Sequence, residues 1–316
     1  MGALDESMLG GGGLIRPLPR LVRESWRVAV DQRLRWAYQA AARIPFDDAD
    51  RFVFFSDLHR GDNRRTDAFA PNKPLFLRAM RHYYDTGYTY VEVGDGDELW
   101  QNRRFADIRR AHAAVFDWLH RFHDAGRLYL ILGNHDSGRR LTDTRLKDGL
   151  RTCHALLLQH RGSGRALFVV HGHQADMLSD RTWGMARFAA RTLWRCLFAV
   201  GFQKWHYISA PGEGHHLVHV PGWLSRRILA QPRRIALRIE EWVAPRRLPV
   251  ICGHTHLTAF PQPGAAPYFN TGSCINPGFL TGIELADGQI SLVKWTWVGE
   301  TAVRSVLQTA PLAAFA

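Results

Sequence analysis

Apolar residues along the chain follow two rhythms. Trp26, Val30, Leu34 and Tyr38 recur at four-residue steps, which predicts an amphipathic helix over 21–43. From residue 51 onward, short continuous apolar runs alternate with longer stretches of helical period. The runs at 51–56, 88–93, 128–132, 166–170 and 249–252 predict buried strands. The stretches at 74–85 and 105–125 predict helices between the first three. Strands alternating with helices predict an α/β class built from βαβ units around a sheet. After Cys252 the pattern turns strand-rich, with runs at 268–271, 283–285 and 290–297. Asp287-Gly288 between the last two predicts a hairpin turn.

The pattern divides the chain into an N-terminal extension carrying the first helix (1–48), a main domain (49–300) and a C-terminal tail (301–316). One stretch inside the main domain differs. Residues 177–247 hold twelve Lys/Arg against four Asp/Glu and five of the eleven Trp. Met185, Ala189, Leu193, Cys196 and Val200 make one apolar helical face, and Arg187, Arg191 and Arg195 a cationic one. A second helix carries Ile235, Ile239 and Trp242 inward. The segment reads as a helical insertion.

Charge and composition narrow the classes. With 46% hydrophobic and 22% charged residues, disorder throughout is excluded. The net charge of +12 favours anionic partners: a phosphorylated substrate, nucleic acid or an acidic membrane face. Four cysteines without a CxxC pair argue against a disulfide framework or a cysteine zinc site, and for a reducing compartment. No basic-then-apolar leader and no run of 18 apolar residues is present. The expectation is a cytoplasmic protein, at most peripheral at the inner face of a membrane.

Candidate chemistry sits directly behind five of the apolar runs. Ser56-Asp57-Leu58-His59, Gly94-Asp95-Gly96-Asp97, Gly133-Asn134-His135-Asp136, His171-Gly172-His173 and Gly253-His254-Thr255-His256 each follow one. Ligands in open α/β sheets bind beyond the carboxyl ends of strands. Five strands sharing a sheet would bring all five motifs to one edge. Carboxylates and neutral imidazoles are ligands for divalent Mn, Fe and Zn. Asp57, His59, Asp95, Asn134, His171, His254 and His256 make seven candidate ligands, too many for one ion. A set of this size with a bridging carboxylate suits two cations roughly 3.5–4 Å apart. The strand-end position favours Asp95 over Asp97 and His171 over His173, which is left to contact substrate. The glycine before each ligand is expected to let the backbone turn sharply. Arg60 and Arg103 or Arg104 lie close enough in sequence to reach a substrate phosphate.

The ordered set of D-x-H, GD, GNHD, HGH and GHTH resembles the calcineurin-type metallophosphoesterase superfamily over residues 50–298. The resemblance implies a four-layer α/β/β/α sandwich with a dinuclear site, manganese being the leading metal. By motif position, Asp57, His59 and His256 would hold one ion, and Asn134, His171 and His254 the other, with Asp95 between them. It implies that a hydroxide bridging the ions attacks phosphorus, that His135 assists the leaving group, and that Asp136 orients His135. Protein serine/threonine phosphatases continue GD into GDxxDR, whereas this chain runs Gly94-Asp95-Gly96-Asp97-Glu98-Leu99-Trp100. That run is similar to the branch of UDP-2,3-diacylglucosamine pyrophosphohydrolases, which also insert helices between the HG and GH motifs. Those enzymes carry GNRD and HGD, where this chain has GNHD and HGH.

The function expected is a phosphoester or pyrophosphate hydrolase; a metal-binding scaffold without chemistry is the other class. A small phosphate-containing or lipid-linked substrate follows from the same reading. The 177–247 insertion could serve as a lid, touch a membrane or bind nucleic acid.

Overall fold

The computed structural model describes residues 20–102, 104–136, 149–176 and 222–315. Among the described residues the α-helices are α1 (Arg20–Gln39), α2 (Lys73–Asp85), α3 (Phe105–Ala111), α4 (Ala113–Asp124) and α5 (Gly222–Val243). The strands are β1 (Ala42–Phe46), β2 (Phe52–Phe55), β3 (Thr89–Val93), β4 (Leu128–Ile131), β5 (Thr152–Cys153), β6 (Ala155–His160), β7 (Ala166–Val170), β8 (Val250–Cys252), β9 (Thr258–Ala259), β10 (Tyr268–Thr271), β11 (Phe279–Ala286), β12 (Gln289–Val298) and β13 (Thr301–Pro311). Every run expected as a strand is one.

The strands make two sheets. One has the order β1-β6-β7-β8-β10-β9, the other β13-β12-β11-β2-β3-β4-β5. In β2, Phe52 and Phe54 point between the sheets, where they join Val91, Val93, Leu156, Leu158, Val169 and Ile251. Val53 and Phe55 point the other way, onto Phe76, Tyr83, Phe116 and Leu119 of α2 and α4. On the far side, Leu157, Phe168 and Val170 meet Val30 and Leu34 of α1 and Ile235, Ile239 and Trp242 of α5. Helices therefore cover both outer faces of two stacked sheets, the α/β/β/α sandwich. Strands buried on both faces read as unbroken apolar runs, which is why periodicity alone located them.

The expected helix over 105–125 is interrupted at His112, whose backbone leaves the helical region (φ −118, ψ 32). The imidazole there is buried and bonds Asp67 Oδ2 at 2.8 Å, a long-range contact invisible to local period. The Asp287-Gly288 turn forms with φ of 52 and 70, both positive as a tight two-residue hairpin requires. The helix expected over 21–43 stops at Gln39, because residues 42–46 pair with β6 as a parallel strand. The boundary placed at 48 thus falls inside the sandwich. Of the 177–247 segment, Ile235, Ile239 and Trp242 are buried as expected; Arg187, Arg191, Arg195 and the apolar face beside them lie outside the described residues.

Residues 301–316 are not a tail. Thr301 to Pro311 pair with β12 along its length, and Phe315 turns inward against Phe269, ring centroids 4.9 Å apart. Its side chains, half-buried or exposed, show no alternation of apolar and polar positions, so the pattern gives no strand there. What holds it is pairing plus one ion pair: Arg304 donates to both oxygens of Glu284, which is buried and also accepts from Tyr83 Oη at 2.5 Å. Arg304→Ala leaves that carboxylate without its counter-charge. Urea unfolding should register a loss of about 2–3 kcal/mol; a change within about 0.5 kcal/mol, the scale of ordinary surface substitutions, would remove the pair from the support of the sheet.

Candidate metal centre

The five motifs meet at one rim, but from two sheets. β2, β3 and β4 of the larger sheet deliver Asp57/His59, Asp95 and Asn134/His135; β7 and β8 of the smaller deliver His171 and His254/His256. Convergence on one edge stands, and a single shared sheet does not. The loops after β2 and β3 continue the ladder past the strands. Asp57 N donates to Gly94 O at 3.1 Å, His59 N to Asp95 O at 2.9 Å and Arg60 N to Gly96 O at 2.9 Å.

Five of the candidate ligands hold a left-handed backbone: Asp57, His59, Asp95, His254 and His256, with φ between 48 and 66. Each such non-glycine position costs on the order of 1–3 kcal/mol and persists only where its surroundings dictate it. The left-handed turns therefore fall largely on the ligands themselves. Gly94 shares in the turn with its own left-handed backbone (φ 84), and the preceding glycines also make space. A Cβ on Gly133 would stand 2.1 Å from Asp95 Oδ1, and one on Gly94 2.5 Å from the His171 ring.

Three ligand groups arise, each with its donor atoms within 4.8 Å of one another: Asp57, His59 and His256; His59, Asp95 and His135; and Asp95, His171 and His254. His171 Nε2 lies 3.1 Å from Asp95 Oδ2 and 3.3 Å from Asn134 Oδ1. Asp95 belongs to two of the groups, as a bridging carboxylate would. Two features fit a cation better than a proton. His59 Nε2 and His256 Nε2 face each other at 3.3 Å. Asp57 Oδ1, buried, has no hydrogen-bond partner among the described residues, although His256 Nε2 stands 3.1 Å away. The residues present suit two divalent ions with oxygen and imidazole donors.

Electrostatics agree. Burial alone would raise the Asp57 and Asp95 carboxyls. Facing imidazoles (His256 and His59 for Asp57, His171 and His135 for Asp95) overcome this and hold both below the usual carboxylate range. The converse holds for His171: burial opposes its charge, but Asp95 wins and lifts it to about 9. His59 is raised well above its ordinary value against burial, by Asp57 and Glu98. His173 is driven well below by burial and by the charges of His171 and His254. Its Nδ1 is buried without a hydrogen-bond partner among the described residues, and its ring lies 5.4 Å from that of His171.

One expectation changes. Arg60, placed beside a substrate phosphate by sequence proximity, is wholly buried. Its Nη1 and Nη2 donate to Glu92 at 2.7 and 2.9 Å, and its Nε to Asp97 Oδ1 at 2.8 Å. Asp97, passed over as a ligand in favour of Asp95, is buried with it. A guanidinium committed to two buried carboxylates is not available to substrate. Asp136 accepts from Gly133 N at 2.6 Å and Gly96 N at 3.0 Å, fixing the loop that carries His135. Arg103 lies outside the described residues.

The residue that holds His135 is Glu98. Its Oε2 accepts from His135 Nδ1 at 2.8 Å and from His59 Nδ1 at 3.0 Å. Its Oε1 accepts from Trp100 N and Gln101 N at 3.1 and 3.2 Å. Trp100 stacks on His135 at 4.0 Å and donates through Nε1 to Asn134 O at 2.8 Å. Both residues stand in the Gly94–Trp100 run, whose sequence does not reveal their contacts. Asp176 also lay outside the expected set; its Oδ2 is 3.2 Å from His254 Nε2.

Comparison with protein families and with curated proteins found no match. Solved structures give distant likenesses. Vacuolar protein sorting 29 from Cryptosporidium parvum is 12% identical, over 84% of this chain and 100% of its own, with a TM-score of 0.38. A conserved protein from Streptococcus pneumoniae described as a predicted phosphoesterase is 11% identical over 81% and 97%, TM-score 0.34. A cold-active protein-tyrosine phosphatase from a psychrophilic Shewanella species is 14% identical over 84% and 82%, TM-score 0.39.

Metal uptake should depend on pH. His171 carries its proton below about 9, and a cation must displace it. Affinity for Mn(II) should therefore tighten as pH rises, about tenfold per pH unit for each proton displaced. Calorimetric titrations at pH 6, 7 and 8 check this, and an affinity flat across that range would contradict it.

Proposed function

We propose that this chain is a metal-dependent phosphoesterase of the calcineurin-like kind, using two divalent cations to hydrolyse a phosphoester or pyrophosphate bond. The observation that carries the reading is the chain of three ligand groups at the rim where both sheets end, the first linked to the second through His59 and the second to the third through Asp95. Asp57, His59 and His256 would hold one ion; His171, His254 and Asn134 the other. Manganese, iron and zinc all suit such donors, with manganese first. When bound, the cations supply Lewis acidity toward phosphoryl oxygens and an activated water.

The chain's own residues do the rest. Glu98 accepts from the His135 Nδ1–H; with both ring nitrogens protonated, the Nε2–H would pass to the leaving oxygen and the ring would be left neutral with its proton on Nδ1. The imidazole is about one-fifth exposed, so substrate can reach it. Trp100 fixes the ring plane from one side. A finer reading, supported by the Gly94–Trp100 run with Glu98 and Trp100 at the site, is a pyrophosphohydrolase acting on a nucleotide-linked lipid. The basic 177–247 segment is proposed to receive the apolar part of such a substrate or to lean on an acidic membrane. Among the described residues no helix is long and apolar enough to cross a membrane.

Mn(II)-loaded protein assayed on a phosphomonoester, a phosphodiester and a UDP-sugar pyrophosphate should cleave at least one class. Two bound equivalents with no hydrolysis on all three would leave the scaffold class standing. Asp95→Asn should abolish nearly all turnover. His135→Ala should lower kcat by about 10²–10⁴ for poor leaving groups and much less for nitrophenol; equal losses on both would deny it the role of proton donor.

A further inference from the structure

Three ligand-group imidazoles at the rim each have one ring nitrogen held by an acceptor, and the three holders differ. His171 Nδ1 donates to the carbonyl of Val93 at 2.8 Å, inside the sheet. His59 Nδ1 meets Glu98 at 3.0 Å, on the loop after β3. His254 Nε2 meets Asp176 Oδ2 at 3.2 Å. Asp176 ends the short turn that follows the His171-Gly172-His173 motif, and the 177–247 segment starts beside it. Its other oxygen accepts from Gln231 Nε2 of α5 at 3.3 Å. One residue before, the carbonyl of Ala175 accepts from Arg238 Nη1 at 2.9 Å, also from α5. The carboxylate is about nine-tenths buried, so these contacts are made in a dry setting. It belongs to none of the three ligand groups.

From this we infer that Asp176 is the positioning residue of the His254 imidazole, and that it ties that ligand to helix α5 through Gln231. The inference rests on the two-cation reading above. A carboxylate on Nε2 fixes the tautomer that leaves the Nδ1 lone pair for a metal and raises its basicity. Through Asp176 the helix that closes the basic segment is thereby bonded to the ligand group that contains His254. Of the two groups, the one containing His254 should sense changes in α5, while Asp57, His59 and His256 should not.

Calorimetric Mn(II) titration of the chelator-treated full chain tests this, with a thermal melt of each variant alongside. Wild type should take up two equivalents. Asp176→Asn, close in shape, should leave one equivalent at wild-type affinity and weaken the other by roughly 10- to 100-fold. Gln231→Leu, which leaves the carboxylate in place, should weaken the same equivalent by a smaller factor. Should Asp176→Asn fail to fold, Gln231→Leu decides alone. Two unaltered equivalents in a folded Asp176→Asn, or an equal loss at both sites, would overturn the positioning role and leave the metal centre standing. A wild-type protein that binds no Mn(II) would overturn the metal-centre reading, and this inference with it.

Discussion

Asp57 is where the two sheets are tied together at their carboxyl rim. Its Oδ2 accepts from the backbone N–H of His254, at the end of a strand in the other sheet, at 2.8 Å, and also from the Ser56 hydroxyl. Ser56 in turn bonds Thr271 at the end of β10, at 2.6 Å. A buried carboxylate without such partners would cost several kcal/mol and would neutralise itself. Here it stays charged because imidazoles from both sheets face it. The same residue that would hold a cation therefore also brings together the loops that carry the other ligands. Site and fold share one electrostatic solution at this rim.

That arrangement explains why strain collects there. Left-handed turns at Asp57, His59, Asp95, His254 and His256 point side chains back across the rim, where ordinary extended strands would send them to alternate faces. The surroundings that impose these turns are specific. Backbone bonds join the β2 and β3 loops, Asp136 anchors Gly133 and Gly96, and the Arg60 guanidinium is locked between Glu92 and Asp97. Arg60 thus supports the site from beneath, a buried charge whose two carboxylate partners lie on the neighbouring strand and loop. Its value is conformational: it holds the β3 loop at a fixed height below the ligands.

Glu98 and Asp176 extend the same logic outward. Each is a buried carboxylate that holds one ring nitrogen of a ligand-group imidazole. One also grips His135, so the group that would handle the leaving oxygen is held by the same oxygen atom as a metal ligand. Displacing either histidine would disturb the other. Such carboxylate–imidazole pairs commonly govern metal affinity as strongly as the ligands themselves.

What the chain alone determined is local or ordinal. Unbroken apolar runs such as Phe52–Phe55 mark strands buried on both faces, and Asp287-Gly288 demands its hairpin. The ordered motifs behind the runs named all the members of the ligand groups, because strand ends are where a backbone can present side chains. What only the tertiary structure decided depends on partners far away in sequence. Arg60 sits as near to His59 in the chain as a phosphate-binding residue would, yet two buried acids on the neighbouring strand and loop claim it. His112 breaks a periodic helix for the sake of Asp67, and β13 exists because β12 offers an edge and Glu284 a charge. Residue type and spacing state which groups are able to meet. Burial and counter-charge, which are properties of the packed chain, settle which of them do.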